Sequence, residues 1–195
     1  MINFLTIEML FVFVIVAIIT GAIASLIYWG LTPFRNHLIN KGKLSKTSIK
    51  RIRWGIISVV ILISIYQTYD AFYPSDAFYF DEFKKVTLTK APKSAHVIRK
   101  SSTYPDLHGD YGSCSLIQLS KNDYKTLLAS LKNDKKLEKA EIMISDEVTT
   151  VCKGIDLENA IANGFVRKNA GEEDRYYYIG FLKDGIGIIV HVSVT

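Results

Sequence analysis

The stretch from Tyr104 to Gly112, Tyr-Pro-Asp-Leu-His-Gly-Asp-Tyr-Gly, gathers the chain's densest set of reactive side-chain types. Asp106, His108 and Asp110 alternate, so an extended backbone turns all three to one side. Two carboxylates and an imidazole so placed can hold a divalent metal or share a proton as an acid–base pair. The same residues also build turns. Pro105, Gly109 and Gly112 interrupt regular structure, and an Asp side chain hydrogen-bonds its own backbone there. No second cluster of ligand type completes a four-ligand site, since His96 and His191 stand apart in strand-like surroundings. Three uses of the loop stay open: metal or acid–base chemistry at Asp106, His108 and Asp110, docking of a protein partner by those residues with Tyr104 and Tyr111, and a structural turn.

Other chemistry is sparser. The chain has no Gly-x-Ser-x-Gly, His-Glu-x-x-His, phosphate-binding glycine loop or Cys-x-x-Cys, so no catalytic residue and no cofactor is assigned. Cys114 and Cys152 are the two cysteines, and in an oxidising compartment two cysteines usually pair, so a disulfide is expected between them. Tyr176, Tyr177 and Tyr178 are consecutive in a strand-like run, so they span both of its faces. At least one ring is expected at the surface, where a tyrosine can anchor a protein partner.

The elements that must position these residues begin with a membrane segment. Residues 9–31 carry no charged side chain and are rich in Ile, Val, Phe and Leu. At about 1.5 Å per residue, a helix of that length crosses a hydrocarbon core of about 30 Å with some tilt. No Lys or Arg precedes it, and Pro33 follows in place of a small-residue cleavage motif, which argues against a cleaved signal peptide. A second uncharged run, residues 54–69, lies between Arg53 and Asp70. It is short for a span, but Arg51 and Arg53 can snorkel at one end, while Tyr66, Tyr69, Phe72 and Tyr73 form an aromatic girdle at the other. A second span over residues 54–70 is therefore expected. Neither run holds an ionisable residue that would mark a transport path.

Between the two runs, residues 32–53 carry Arg35, Lys41, Lys43, Lys46, Lys50, Arg51 and Arg53 and no acid, bracketed by Trp29 and Trp54. Short loops with such an excess stay in the cytoplasm. The expectation is a multi-pass hairpin over residues 1–73, N-out and C-out in a bacterial inner membrane, with residues 74–195 forming a periplasmic domain. The net charge of +5 and the pI near 9.1 come from this loop, and the remainder of the chain is close to neutral. That removes the case for a nucleic-acid surface. It leaves the bilayer and a protein as partners.

Residues 74–195 suffice for one compact domain. Ser75 is placed to cap a helix with Tyr79, Phe83 and Val86 inward, and residues 95–100 and 113–119 read as strands. Ser120 and Asp123 form a capping-box variant that opens an amphipathic helix with Tyr124, Leu127, Leu128 and Leu131 on one stripe. A third strand is expected over 139–145, and a short helix over 156–163 with Gly164 as its stop. Asp184-Gly185 joins two β-rich runs, 175–183 and 186–194, as a hairpin. The fold class is α+β: an antiparallel-rich sheet with helices on one face, preceded by the two-helix transmembrane hairpin.

Two spans, the basic loop between Pro33 and Arg53, and a small exterior α+β domain with the Tyr104–Tyr111 loop and two cysteines together resemble the membrane-anchored bacterial immunity proteins, antagonists of periplasm-delivered toxins. The resemblance implies a non-enzymatic binding domain whose partner is a secreted antibacterial toxin. It carries no functional residue over to this chain. An accessory subunit of a cell-envelope complex, with Gly21, Ala22 and Ala24 allowing close helix approach, is the alternative from architecture. A metal-dependent periplasmic enzyme using Asp106, His108 and Asp110 is the alternative from chemistry.

Overall fold

A computed structural model describes residues 4–42, 45–103, 109–168 and 174–195. The chain divides into two compact units, Met1–Phe72 and Tyr73–Thr195.

The first unit holds α1 (Phe4–Gly30), α2 (Thr32–Asn40) and α3 (Lys46–Phe72). The basic stretch after residue 31 is thus largely helical and not an open loop. Pro33 falls in the first turn of α2, where its missing N–H costs nothing. α1 packs against α3, and Thr20 Oγ1 and Ser64 Oγ share a hydrogen bond of 3.0 Å across the seam. Each hydroxyl also lies within hydrogen-bond distance of a carbonyl of its own helix, Val16 or Val60, so whichever one accepts across the seam donates to its own backbone. The outward sides are apolar, with Leu10, Phe11, Ile18, Leu26, Leu62 and Ile65 all exposed. By length and composition one helix, α1 over Met9–Gly30, is able to cross a membrane. The uncharged part of α3 is shorter, because Arg53 and Asp70 bound it.

The second unit runs α4 (Asp76–Thr87), β1 (His96–Ser102), β2 (Tyr111–Gln118), α5 (Lys121–Lys132), β3 (Leu137–Lys139), α6 (Asp146–Val151), α7 (Leu157–Ala160), β4 (Ile161–Arg167), β5 (Arg175–Leu182) and β6 (Gly187–Val194). Its strands form one six-stranded antiparallel sheet in the order β1-β2-β6-β5-β4-β3. The unit is α+β. Central β6 is buried from Gly187 to Val192, as a strand covered on both faces must be.

Alternation along β6 separates two cores. Ile188, Val190 and Val192 join Phe83 and Val86 of α4 and Leu127 and Leu131 of α5. Ile189 joins Val148 and Val151 of α6 on the other side. Helices therefore cover both faces, which corrects the one-faced arrangement expected from sequence. α6 escaped notice because six residues hold too little periodicity to register, although Ser145 caps it by accepting from Val148 N.

Two other local expectations change. Strand pairing at β3 stops at Lys139, and residues 140–145 form no regular structure. The expected helix over 156–163 ends at Ala160, because from Ile161 onward the chain pairs with β5. Gly164 is consequently mid-strand, opposite Gly180, and not a helix stop.

The strongest local signals behave as their chemistry dictates. Ser120 caps α5 by accepting from Asp123 N, and the Asp123 carboxylate takes hydrogen bonds from the Ser94 and Ser120 hydroxyls. Asp184 Oδ1 accepts from the amides of Ile186 and Gly187, and Gly185 supplies the positive φ that the β5–β6 turn requires. Ser75 sits at the N-cap of α4, but its side chain makes no capping bond.

Candidate functional site

Register across β2, β6 and β5 places Cys114 opposite His191, and His191 opposite Tyr178. Directly opposed residues share a face, so these three form a row on the α6 side of the sheet. Tyr176, two residues along, shares that face; its ring stacks 6.0 Å from Tyr178 and lies 5.5 Å from the His191 ring. Cys152, the C-cap of α6, and buried Glu147 close the row from above.

His191 is fully buried, and its Nδ1 lies 2.9 Å from the Ser113 carbonyl, so Nδ1 carries the proton and donates. Nε2 has no hydrogen-bond partner among the described residues. Burial lowers the imidazole pKa, opposed by the Ser113 hydrogen bond and the Glu147 charge. Cys114 and Cys152 are buried thiols with no disulfide between them, hydrogen-bonded side by side. Their bond, with burial and the nearby Cys152 and Glu147 charges, pushes Cys114 up. The same bond draws Cys152 down, against burial and with help from Arg99.

Beside this row lies a cleft of about 590 Å³. Tyr178 leans along its strand over the opposed Gly164–Gly180 pair, and a Cβ at Gly164 would lie 2.6 Å from the Tyr178 hydroxyl. Only glycine leaves room for that ring. The hydroxyl is buried, has no partner among the described residues, and has its pKa raised, chiefly by burial.

Ala140, Glu141, Ile142 and Ile144, from the irregular 140–145 segment, wall the cleft. Tyr176 holds them in place: its hydroxyl donates to the Glu141 carbonyl at 3.1 Å and accepts from Met143 N at 3.1 Å. That tether explains why β3 does not continue. Ala140 N still bonds to Gly164 O of β4, but beyond it the backbone at Glu141 and Met143 is bonded to a side chain instead. Met143 and Ile144 are thereby exposed at 44% and 65%. They are the one adjacent pair among the exposed large apolar side chains described after Tyr73. Glu141 and α7's Glu158 are exposed at the rim, and neither has an ion pair among the described residues.

The expected site residues are dispersed. Tyr104, Asp106 and His108 lie outside the described residues. Asp110 is half-buried. Tyr111 belongs to the opposite side of the unit: its ring packs on the α4–α5 core, and its hydroxyl donates to Glu82 at 3.2 Å while accepting from Lys85 at 3.1 Å. Burial disfavours the Lys85 ammonium, yet the bonds to Glu82 and Tyr111 outweigh it and leave its pKa pushed up to about 12. None of the tyrosine triplet is exposed, which corrects the expectation of a surface ring: Tyr176 is half-buried, Tyr177 is 5% exposed and Tyr178 is sealed. The physical reason is that both faces of β5 are covered.

His191, Glu147, Glu141, Glu158, Met143 and Ile144 were missed. Their grouping depends on cross-strand register and on the Tyr176 tether, and only the exposed Met-Ile pair left a trace in sequence, as apolar residues in a stretch mistaken for a strand.

Among the described residues no three His, Cys, Asp or Glu side chains form a group able to hold a metal. No family model, curated protein or solved structure matches the chain.

Proposed function

We propose that the protein is a membrane-anchored binding domain of the bacterial envelope, an immunity protein that neutralises a secreted antibacterial toxin. The observation that carries this reading is the rigidly tethered 140–145 segment, with Met143 and Ile144 exposed beside a cleft. Adjacent exposed apolar side chains on a fixed backbone are suited to protein recognition, because little conformational entropy is lost on binding. The apolar outer sides of α1 and α3 favour a bilayer around both helices, and the seven basic residues between Leu31 and Trp54 favour a cytoplasmic turn, hence an N-out, C-out topology with the second unit in the periplasm.

In that compartment the Cys114 and Cys152 thiols join as a disulfide, passing two electrons and two protons to a thiol–disulfide oxidoreductase. Anchoring keeps the domain where a toxin arrives, and binding occludes the toxin. Cells carrying the chain are expected to survive contact with a toxin-delivering competitor that kills cells lacking it; equal killing of both overturns the reading.

An accessory role in an envelope complex draws on the groove between α1 and α3, where Gly21, Ala22 and Ala24 leave room for another helix. Exchanging residues 1–72 for an unrelated anchor of the same topology separates the two. Protection survives the exchange in an immunity protein, whereas an accessory subunit loses its complex.

A further inference from the structure

The cleft beside Tyr178 combines three features that packing alone does not call for. First, β3 pairs with Phe165, Val166 and Arg167 of β4, and Gly164 O accepts from Ala140 N, but Ala162 and Asn163 have no strand beside them on that side among the described residues. Their backbone edge opens into the cleft. An open edge of this kind accepts a further extended segment by main-chain hydrogen bonds. Second, Glu141 and Glu158 stand exposed on the cleft wall without cationic partners among the described residues. Third, the Tyr178 hydroxyl, sealed and unpartnered, ends at Gly164 on the cleft floor, while Ile142 and Ile144 line the approach.

We infer that this cleft seats an extended segment of the partner protein that carries a lysine or arginine, its backbone lying along Ala162 and Asn163 of β4 and its cation reaching Glu141 and Glu158. The aliphatic stem of such a side chain runs over Ile142 and Ile144, as long cationic residues do on apolar surface. The inference rests on the binding-domain reading and gives that domain's partner a definite chemistry. Charge sign selects the occupant: an anion is repelled by both carboxylates, and an apolar segment leaves them desolvated without compensation.

The test uses the full chain in detergent micelles and two fluorescein-labelled, capped pentapeptides of alternating threonine and valine, one with lysine at its centre and one with norleucine. The lysine peptide is expected to bind at least about tenfold more tightly, the range of one charge-assisted hydrogen bond. The double variant Glu141→Gln, Glu158→Gln is expected to abolish that difference; both positions are exposed, so the fold is retained. Equal or undetectable binding of the two peptides, an unaffected double variant, or full competition by spermidine, which has the cations without a backbone, overturns the inference.

The same double variant in the competitor assay keeps the two proposals apart. Loss of protection with the wild-type chain protecting supports both. Intact protection by the double variant overturns the cleft and leaves the immunity reading standing. Peptide discrimination by a wild-type chain that does not protect supports the cleft and overturns the immunity reading.

Discussion

The two faces of the sheet are covered by different means. On one, α4 and α5 supply twelve residues each, and their apolar stripes meet Ile117, Phe165, Ile179, Phe181 and Ile188 in a mostly hydrocarbon core. Tyr124 and Phe165 set their rings edge-on to Phe181, at 5.2 and 6.2 Å. Two charged groups are sunk into this side: Glu82, paired with Lys85 at 2.8 Å, and Arg167, held by the Val86 carbonyl at 2.5 Å and the Asp134 carboxylate at 2.7 Å. On the other face, helices of six and four residues and an irregular segment lie over Cys114, His191 and Tyr178.

Short helices contribute little by themselves, because nucleation consumes most of what their few bonds return. That cover is held down by side chains: Tyr176 on Glu141 and Met143, Arg99 on the Val151 and Lys153 carbonyls, and the paired cysteines. The first face sets global stability. The second is a locally tethered lid, held fixed in the native state by those bonds but opening at lower free energy than the core.

Truncation on the first face is the largest break. Phe83 is completely buried, and Phe83→Ala is expected to cost up to about 5 kcal/mol and to loosen the whole unit. A urea transition followed by near-UV circular dichroism measures it. A cost below about 1 kcal/mol would make the two faces equivalent.

Oxidation acts on the other face. Joining Cys114 to Cys152 ties α6 to β2 and closes a 39-residue loop, worth roughly 4 kcal/mol on the chain-entropy account. The urea midpoint is expected to fall on adding dithiothreitol, and protein isolated without reductant is expected to show no titratable thiol. Two free thiols in that protein would refute the pairing.

A subtler break is Tyr176→Phe, which removes both tethers to the 140–145 segment at a cost of about 1–2 kcal/mol. Hydrogen exchange is expected to quicken around Met143 and α6 while β6 stays protected. Uniform loss of protection would show that the lid is not a separate unit.

The smallest effect is that of pH. His191 is buried neutral with its pKa lowered, so the unfolded chain takes up a proton first on acidification. Its contribution is present above about pH 6.5 and is lost as the pH falls below that value. Glu147 opposes this, and Tyr176, Tyr178 and Cys114, whose pKa values are raised, stay neutral around it in the reduced protein at that pH. His191→Gln is expected to flatten the slope of stability between pH 6.5 and 5, and an unchanged slope would place the titration elsewhere.

Legibility in sequence followed the length and closure of each signal. The α5 cap at Ser120 and the Asp184-Gly185 hairpin were readable because a few neighbouring residues settle them through local hydrogen bonds. The stripe of α4 was readable for its period. The 139–145 segment misled because its alternation suits a strand, yet the Tyr176 hydroxyl takes its backbone. Residues 156–163 misled because a good capping aspartate opens a helix that β5 then cuts short at Ala160. The candidate site fared worse than the fold. The tyrosine triplet was singled out for exposure, and what matters in it is a hydroxyl tether and a ring over two glycines.

The residues by themselves determined the apolar first helix, the basic stretch after it, the near-neutral remainder, and the α+β class of that remainder, because hydropathy, charge and turn chemistry act within a few residues of one another. Only the tertiary structure decided that both sheet faces are covered, that Cys114 meets Cys152 and His191, and that Glu141, Glu158 and Tyr178 share a cleft. Those outcomes depend on strand order and register between segments far apart in the chain, and no local pattern carries that information.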